Sequence, residues 1–535
     1  GEPGEGLVRP IATVDVEAGT GSVAEKVERV SIDDLRMWNG LLDDVDFFHF
    51  AKFKVKSGHF LNEARDEYET YLLFGGLARL KSGVDFWIHT TQDVTWRRQA
   101  TVTEDGEAVW KITGWESHDV DVMQVEQTLF AEVLDEVLDP DDLARARRSI
   151  HEEMVLDYLI ARERGEAERP HEFFTVEAWD RQPGVAVVDL DRDGWDDFYV
   201  MERWGKNMFF RNRGDGTFDE IAGDIGLDIE DHTSSAIFAD FDNDGDADAF
   251  LGRTLAPSLY LVNEGGRFVD RSAELVDTPL PRLVSSVTAV DYDLDGLLDL
   301  YVSTYAARMT SVMPPDRWAE YLPEEDAKRL GELTRTDHPH LSRAGPPNVL
   351  LRNRGDGTVE IAGAGEPLEI FRNTYQSTWA DFDEDGDPDV YVANDFSPNF
   401  MFRNDGGTFV DITEETNTSD IGFGMGVSWG DYDGDGRQDL YVTNMYSKAG
   451  LRITSQLADL EPRFAKMARG NSLFRNGPDG FRKVSGLEAP DLLVENGGWG
   501  WGSQFADVDN DGYLDIYALS GYYTAPSQVE LPVDI

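Results

Sequence analysis

The 535-residue chain contains no cysteine, which excludes disulfides and thiolate metal sites and leaves the redox compartment unread. Basic charge is scarce: 48 Lys and Arg face 104 Asp and Glu, giving a formal net charge of −56, and only 11 of the 48 are lysine. A surface this acidic repels phosphate, which argues against nucleic acids and anionic membranes as partners. Long hydrophobic runs are also missing. Nothing approaches the roughly 18 to 20 apolar residues that a membrane-spanning helix requires.

What the chain has in abundance is aspartate in a fixed arrangement. DYDGDGRQD begins at Asp431, and the same pattern recurs as DLDRDGWDD from Asp189, DFDNDGDAD from Asp240, DYDLDGLLD from Asp291, DFDEDGDPD from Asp381 and DVDNDGYLD from Asp507. Aspartate stands at loop positions 1, 3, 5 and 9, and glycine at position 6. Such a glycine takes the positive φ of a sharp turn, and alternate aspartates then point at one centre, as the oxygen ligands of a hard cation do. The candidate metal ligands are Asp189, Asp191, Asp193 and Asp197; Asp240, Asp242, Asp244 and Asp248; Asp291, Asp293, Asp295 and Asp299. The later loops add Asp381, Asp383, Asp385 and Asp389; Asp431, Asp433, Asp435 and Asp439; Asp507, Asp509, Asp511 and Asp515. The expected cofactor is Ca²⁺, about six ions, one per loop.

Asp and Gly favour turns on their own, but six copies with identical carboxylate positions exceed that tendency. An EF-hand would need a glutamate at position 12. Here position 12 is Val200, Leu251, Val302, Val392, Val442 and Ala518, inside runs such as LYVS and VYVA that read as strands. Each loop therefore joins two strands, and the position-9 aspartate is expected to close the site. A second signal follows each of the first five loops, as in NMFFRNRGDGTF from Asn207 and NFMFRNDGGTFVD from Asn399, and reads as strand, turn, strand. Successive loops begin 51, 51, 90, 50 and 76 residues apart. A four-stranded unit of about 50 residues repeated six times predicts a mainly β fold, a six-bladed β-propeller or alternatively a seven-bladed one.

These loops and N-x-L-x-R-N turns resemble the FG-GAP/VCBS repeats of integrin-α-type propellers, and more narrowly bacterial proteins related to cartilage acidic protein. The resemblance covers about residues 171 to 535. It implies metal binding by the loop aspartates, an extracellular, cell-surface or periplasmic location, and adhesion or binding to a protein or glycan, with homo-oligomeric surface assembly as one version. The segment HEFFTVEAW before the first loop is expected to supply the outer strand that completes the last blade. A different functional class, an enzyme acting on a polysaccharide or small ligand, would place its site in the N-terminal domain or a loop pocket.

Residues 1–30 read as a flexible extension and 31–170 as an α+β domain of antiparallel sheet with helices. Ser31 is placed to cap a first helix, and further helices are expected over about 120–137 and 141–164. The order of elements is similar to that of nuclear transport factor 2 and ketosteroid isomerase. That likeness would make Asp93, His89, Trp96, Trp110 and Trp115 pocket liners, with core packing as the competing role for the tryptophans. Helical insertions near 306–346 and 445–470 offer Trp318, Tyr321, Tyr446, Arg452 and Phe464 as partner anchors, or else as residues packed back on the scaffold.

Three motifs are discounted. GVSWG around Ser428 lacks the helix that a nucleophile elbow needs. The RGD tripeptides at Arg213 and Arg354 lie in the repeat's own turn. DHPH at 337–340 has its histidines separated by Pro339 and reads as a polar loop.

Overall fold

The computed structural model describes residues 22–23, 45–102, 108–125 and 133–521, apart from 175, 177–183, 231, 277–278, 357, 362–366, 456, 458 and 488. The chain divides into two compact units after Glu132.

The first unit is one antiparallel sheet. Its strands are β1 (Ser22–Val23), β2 (Val45–Phe60), β3 (Glu67–Leu80), β4 (Asp85–Val102) and β5 (Ala108–Val125), in the order β1-β5-β4-β3-β2. The period-2 alternation of β3 and β4 buries Leu72, Phe74, Ala78, Phe86, Ile88 and Val94 on one face. The hairpin expected at TEDGEA is present as β4 and β5, paired from Val102 opposite Ala108. The helix expected from Val120 is instead the end of β5, which continues to Val125. The proposed capping helix at Ser31 lies outside the described residues.

The two helical stretches expected over about 120–137 and 141–164 are three helices of the second unit, α1 (Leu134–Val137), α2 (Pro140–Ala146) and α3 (Ile150–Glu163). The division by contacts after Glu132 thus differs from the boundary expected near residue 170. The cause is apolar: Leu138 and its neighbours pack on Met208 and Phe210, while Val155 and Leu159 close over Phe174. Arg145 adds an ion pair to Glu220 at 2.5 Å.

The rest of the second unit is a succession of small antiparallel sheets, a propeller-like β fold. The first sheet holds β6 (Val185–Val188), β7 (Asp197–Val200), β8 (Met208–Asn212) and β9 (Phe218–Glu220). The second holds β10 (Thr233–Ala239), β11 (Asp248–Arg253), β12 (Leu259–Asn263) and β13 (Phe268–Asp270). The third holds β14 (Val284–Val290), β15 (Asp299–Thr304), β16 (Val349–Asn353) and β17 (Val359–Ile361). The fourth holds β18 (Asn373–Ala380), β19 (Asp389–Asp395), β20 (Phe400–Asn404) and β21 (Phe409–Asp411). The fifth holds β22 (Gly426–Gly430), β23 (Asp439–Thr443), β24 (Ser472–Gly477) and β25 (Gly480–Lys483). The sixth has only β26 (Gly500–Ala506) and β27 (Asp515–Ser520) among the described residues.

First strands of successive sheets pack side by side, β6 on β10, β10 on β14, β14 on β18, β18 on β22 and β22 on β26. The core is accordingly divided into layers between sheets: Tyr199, Phe209 and Leu251 in one, Phe250, Val302 and Leu351 in the next, Tyr301, Val390 and Phe402 in a third. At the two ends of the series this burial stops. Val185 and Val187 on β6 are 60% and 64% exposed, and Tyr517 and Leu519 on β27 are 48% and 54% exposed. Of the segment expected to supply the closing strand, HEFF forms a turn, with Phe173 and Phe174 in separate apolar clusters, and residues 175 and 177–179 lie outside the described residues.

The first insertion contains α4 (Ala307–Val312), a 3₁₀ turn (Pro315–Glu320) and α5 (Glu324–Thr336). It packs back on the scaffold: Trp318 is 2% exposed, lies with Met309, Met313 and Leu330, and donates its indole N–H to the Met313 carbonyl at 3.0 Å. Tyr321 leans on the same cluster. The second contains α6 (Lys448–Ser455) and α7 (Arg463–Lys466), and its Phe464 packs with Leu341, Ile421 and Met467. Trp318→Ala is expected to cost about 3 to 5 kcal/mol of stability, as for a large buried aromatic. Urea denaturation measures this, and an unchanged midpoint would instead mark Trp318 as a surface anchor.

Candidate metal centre

Each aspartate loop runs from the end of a first strand to the start of a second, so its ends are fixed by sheet pairing, as between Val188 and Asp197. The position-6 glycine has φ between 89° and 103° in all six loops, at Gly194, Gly245, Gly296, Gly386, Gly436 and Gly512. Position 4 is also left-handed, at Arg192, Asn243, Leu294, Glu384, Gly434 and Asn510, which sequence reasoning missed because five different residue types occupy it.

The carboxylates have distinct tasks. The position-1 aspartate folds the loop over itself: Asp189 Oδ1 accepts the Asp193 N–H at 3.1 Å and its Oδ2 accepts the Gly194 N–H at 3.0 Å. The same pair of bonds recurs at Asp291, Asp381, Asp431 and Asp507. The position-5 aspartate accepts the N–H two residues on, as in Asp193 to Trp195 at 2.9 Å.

Position 9 is the start of the second strand, and there Asp197, Asp248, Asp299, Asp389 and Asp439 are at most 1% exposed. Their Oδ1 atoms accept the N–H of an asparagine on the third strand: Asn212 and Asn353 at 2.7 Å, Asn263 and Asn404 at 2.8 Å, and Asn476 at 2.7 Å. Burial beside the other loop aspartates pushes Asp248, Asp299 and Asp389 up to about 7 and Asp439 up to about 6, against the backbone hydrogen bonds that favour the ionised form.

Positions 1, 3 and 5 bring carboxylate oxygens within 4.8 Å of one another at Asp189/Asp191/Asp193, Asp240/Asp242/Asp244, Asp291/Asp293/Asp295 and Asp381/Asp383/Asp385. In the fifth loop the convergent set is Asp431, Asp433 and Asp439, so there position 9 joins the cluster. Several of these oxygens are buried without a hydrogen-bond donor: Asp240 Oδ1, Asp293 Oδ1 and Asp433 Oδ1. Buried anionic oxygens without donors are costly unless a cation satisfies them. An all-oxygen carboxylate set suits Ca²⁺ or another hard cation. Arginines already lean on two loops, Arg352 on Asp293 at 2.5 Å and Arg475 on Asp435 at 3.0 Å, and so offset part of the charge.

The third-strand asparagines are a second feature that sequence reasoning left unused, although each is the N of the recurring R-N or V-N pair. Asn404 Nδ2 donates to the Pro388 carbonyl of its own loop at 3.2 Å and to the Tyr292 carbonyl of the preceding loop at 2.7 Å. Asn353 reaches Phe241 at 2.7 Å and Asn476 reaches Phe382 at 3.0 Å in the same way. A buried asparagine thus latches each of three sheets to the aspartate loop before it.

In comparison with known proteins, the FG-GAP-like repeat matches residues 189–251 and 381–442. The chain carries FG-GAP-like repeats. Curated relatives include cartilage acidic protein 1 of Xenopus tropicalis, 28% identical over 199 residues, and of Homo sapiens, 27% identical over 230 residues. These matches cover 35% and 42% of this chain and 30% of each relative's length. Among solved structures, a Trypanosoma rangeli sialidase aligns at 9% identity over 64% of this chain and 42% of its own, with a TM-score of 0.21, too low to bear on the fold. No helix among the described residues is long and apolar enough to cross a membrane.

The other sequence candidates do not assemble into sites. His89 and Asp93 fall on the opposite face of β4 from Trp96, whose indole donates to Thr70 Oγ1 at 2.8 Å. Trp110 lies against Phe60 and Tyr68. Within DHPH, Asp337 pairs with Arg372 at 3.0 Å and His338 Nδ1 accepts two backbone N–H groups. Ser428 sits in β22 against Ser503 at 3.1 Å. In the first RGD, Asp215 accepts from Thr217 within the turn.

Two stability measurements check this account. Asn404→Ala is expected to lose about 2 to 3 kcal/mol by leaving buried carbonyls unpaired, and Asn212→Ala, whose amide donates to the Asp196 carbonyl of its own loop at 3.1 Å, less. Leu294, left-handed at φ 57° and 57% exposed, is replaced by Asn in two sister loops; Leu294→Asn is expected to gain about 0.5 to 1 kcal/mol by removing that strain.

Proposed function

We propose that this protein is a calcium-stabilised extracytoplasmic binding or adhesion module whose six sheets form six blades and present their loops to a protein or glycan partner. The observation that carries the reading is the convergence of carboxylate oxygens, some of them buried without donors, in loops built alike along the chain. Bound Ca²⁺ would supply charge neutralisation at each loop. The chain's own residues do the rest: position 1 closes the turn, positions 3 and 5 point oxygens at the centre, and position 9 ties the loop to the sheet. All 24 aspartates named from the sequence enter the proposal, with position 9 serving both as ligand and as anchor.

Calcium modules outside cells bind at about 10⁻⁴ to 10⁻³ M, concentrations that the cytosol does not supply, which favours an extracellular, cell-surface or periplasmic location. The open faces carrying Val185, Val187, Tyr517 and Leu519 are where a further blade or a second copy would join, in keeping with surface assembly. The net charge of −56 favours partners other than nucleic acid.

Thermal unfolding in EGTA and across a Ca²⁺ titration, with metal content counted and particle size followed, tests the reading. At 100 times its Kd, each occupied site adds about 2.7 kcal/mol, so a large rise in Tm with about six Ca²⁺ per chain is expected. A Tm and metal content indifferent to calcium would overturn it. A rise in size with calcium would assign assembly.

A further inference from the structure

At the strand ends remote from the aspartate loops, the third to sixth sheets enclose a cavity of about 270 Å³. Its wall is built from Tyr305, Tyr375, Trp499, Trp501 and Met425, with one carboxylate, Asp395. The aromatic groups support one another: Tyr305 and Tyr375 stack with centroids 4.3 Å apart, Trp501 stands edge-on to Tyr375 at 5.9 Å, and Trp499 lies parallel to Trp501 at 6.4 Å. The indoles are held in place, Trp501 donating to the Gly521 carbonyl at 2.7 Å and Trp499 directed at Met425 Sδ at 3.2 Å.

Asp395 closes β19 and is 6% exposed. It accepts the Tyr305 hydroxyl at 2.7 Å. The nearby cation is Arg343, which lies over the Phe396 ring at 5.2 Å and gives its Nη2 to the Ala307 carbonyl and Ser311 Oγ, each at 2.7 Å. A carboxylate at the wall of an aromatic chamber is costly to hide unless a positive group shares the chamber.

We propose that this cavity binds a quaternary ammonium group of the choline type. Ring faces attract a cation through their quadrupoles, most strongly when it is desolvated. A trimethylammonium carries no N–H, so an apolar wall leaves no donor unpaired. A sugar would bury several hydroxyl groups against rings and thioethers with one carboxylate to receive them. The lining also holds a single carboxylate and no histidine, so it lacks the paired acid and base of a hydrolase.

Burial pushes the Asp395 carboxyl up to about 7, countered by the Tyr305 hydrogen bond and the Arg343 charge. Tyr305 itself is raised well above the ordinary tyrosine range and stays neutral. The ligand needs the ionised carboxylate, which is populated above pH 7. Affinity is therefore expected to rise from pH 6 to pH 8 and then level off.

The test is calorimetric titration of the whole chain with choline and with tetramethylammonium, in saturating Ca²⁺ so that loop occupancy is constant. Saturable binding with one ligand per chain, quenching of tryptophan fluorescence and at least tenfold weaker binding of 3,3-dimethyl-1-butanol, the neutral isostere, are expected. Trp501→Ala and Asp395→Asn should each weaken binding on the order of tenfold, the scale of a desolvated cation–π or paired-charge contact. Absence of binding by wild-type protein, or equal binding of the neutral isostere, overturns the proposal whether or not either variant folds. Capture by phosphatidylcholine vesicles that free choline competes away would assign the headgroup as the source, and choline binding without capture a free solute. Calcium dependence of Tm is read separately, so failure here leaves the metal reading standing.

Discussion

The larger unit hangs on a buried carboxylate at the first residue of the second strand in each of its first five sheets. Asp389 shows the arrangement: its two oxygens accept N–H groups from Asn404 on the third strand at 2.8 Å and from Phe382 in the loop at 3.2 Å. One side chain thus fixes loop, second strand and third strand together. Because it is held at the strand end rather than in the loop, the loop carboxylates converge over a rigid base. The cost is a burial that lifts its pKa to about 7, which a cation above it would offset.

The buried tyrosine of the second strand repeats this economy one layer deeper. Tyr199, Tyr301 and Tyr391 donate to backbone carbonyls at 2.9 to 3.0 Å, and Asn207 and Asn348 give their amides to Tyr199 and Tyr301. The buried tyrosine hydroxyls are therefore satisfied by groups of the repeat itself, and the apolar layers can close around them. The repeat is a hydrogen-bonded unit as much as a hydrophobic one.

Much of this was legible in sequence because its physics is local. Aspartate at alternate positions and a glycine at the sharp turn dictate the loop, and alternating apolar residues dictate the strands on either side. The asparagine latch was visible only as a recurring letter, since its partner carbonyl lies on another repeat, 112 residues away for Asn404 and Tyr292. The division after Glu132 was not legible for a related reason: α2 and α3 have good caps, Asp139 and Ser149, and look self-sufficient. What places α2 is an apolar face on the first sheet, and what places α3 is the pair Phe174 and Trp204, neither of which a local pattern announces. The segment HEFF was likewise strand-like by composition, but its phenylalanines lie in two separate clusters. The aromatic cavity was invisible because its walls come from four sheets.

The latches all point one way, from a sheet back to the loop before it. In the first sheet Met208 and Phe210 pack with Leu138 beside α1 and α2, while the third, fourth and fifth sheets are tied back through Asn353, Asn404 and Asn476. Tension along these three sheets is therefore borne by side-chain amides as well as by apolar contact, so that they part as a group rather than singly.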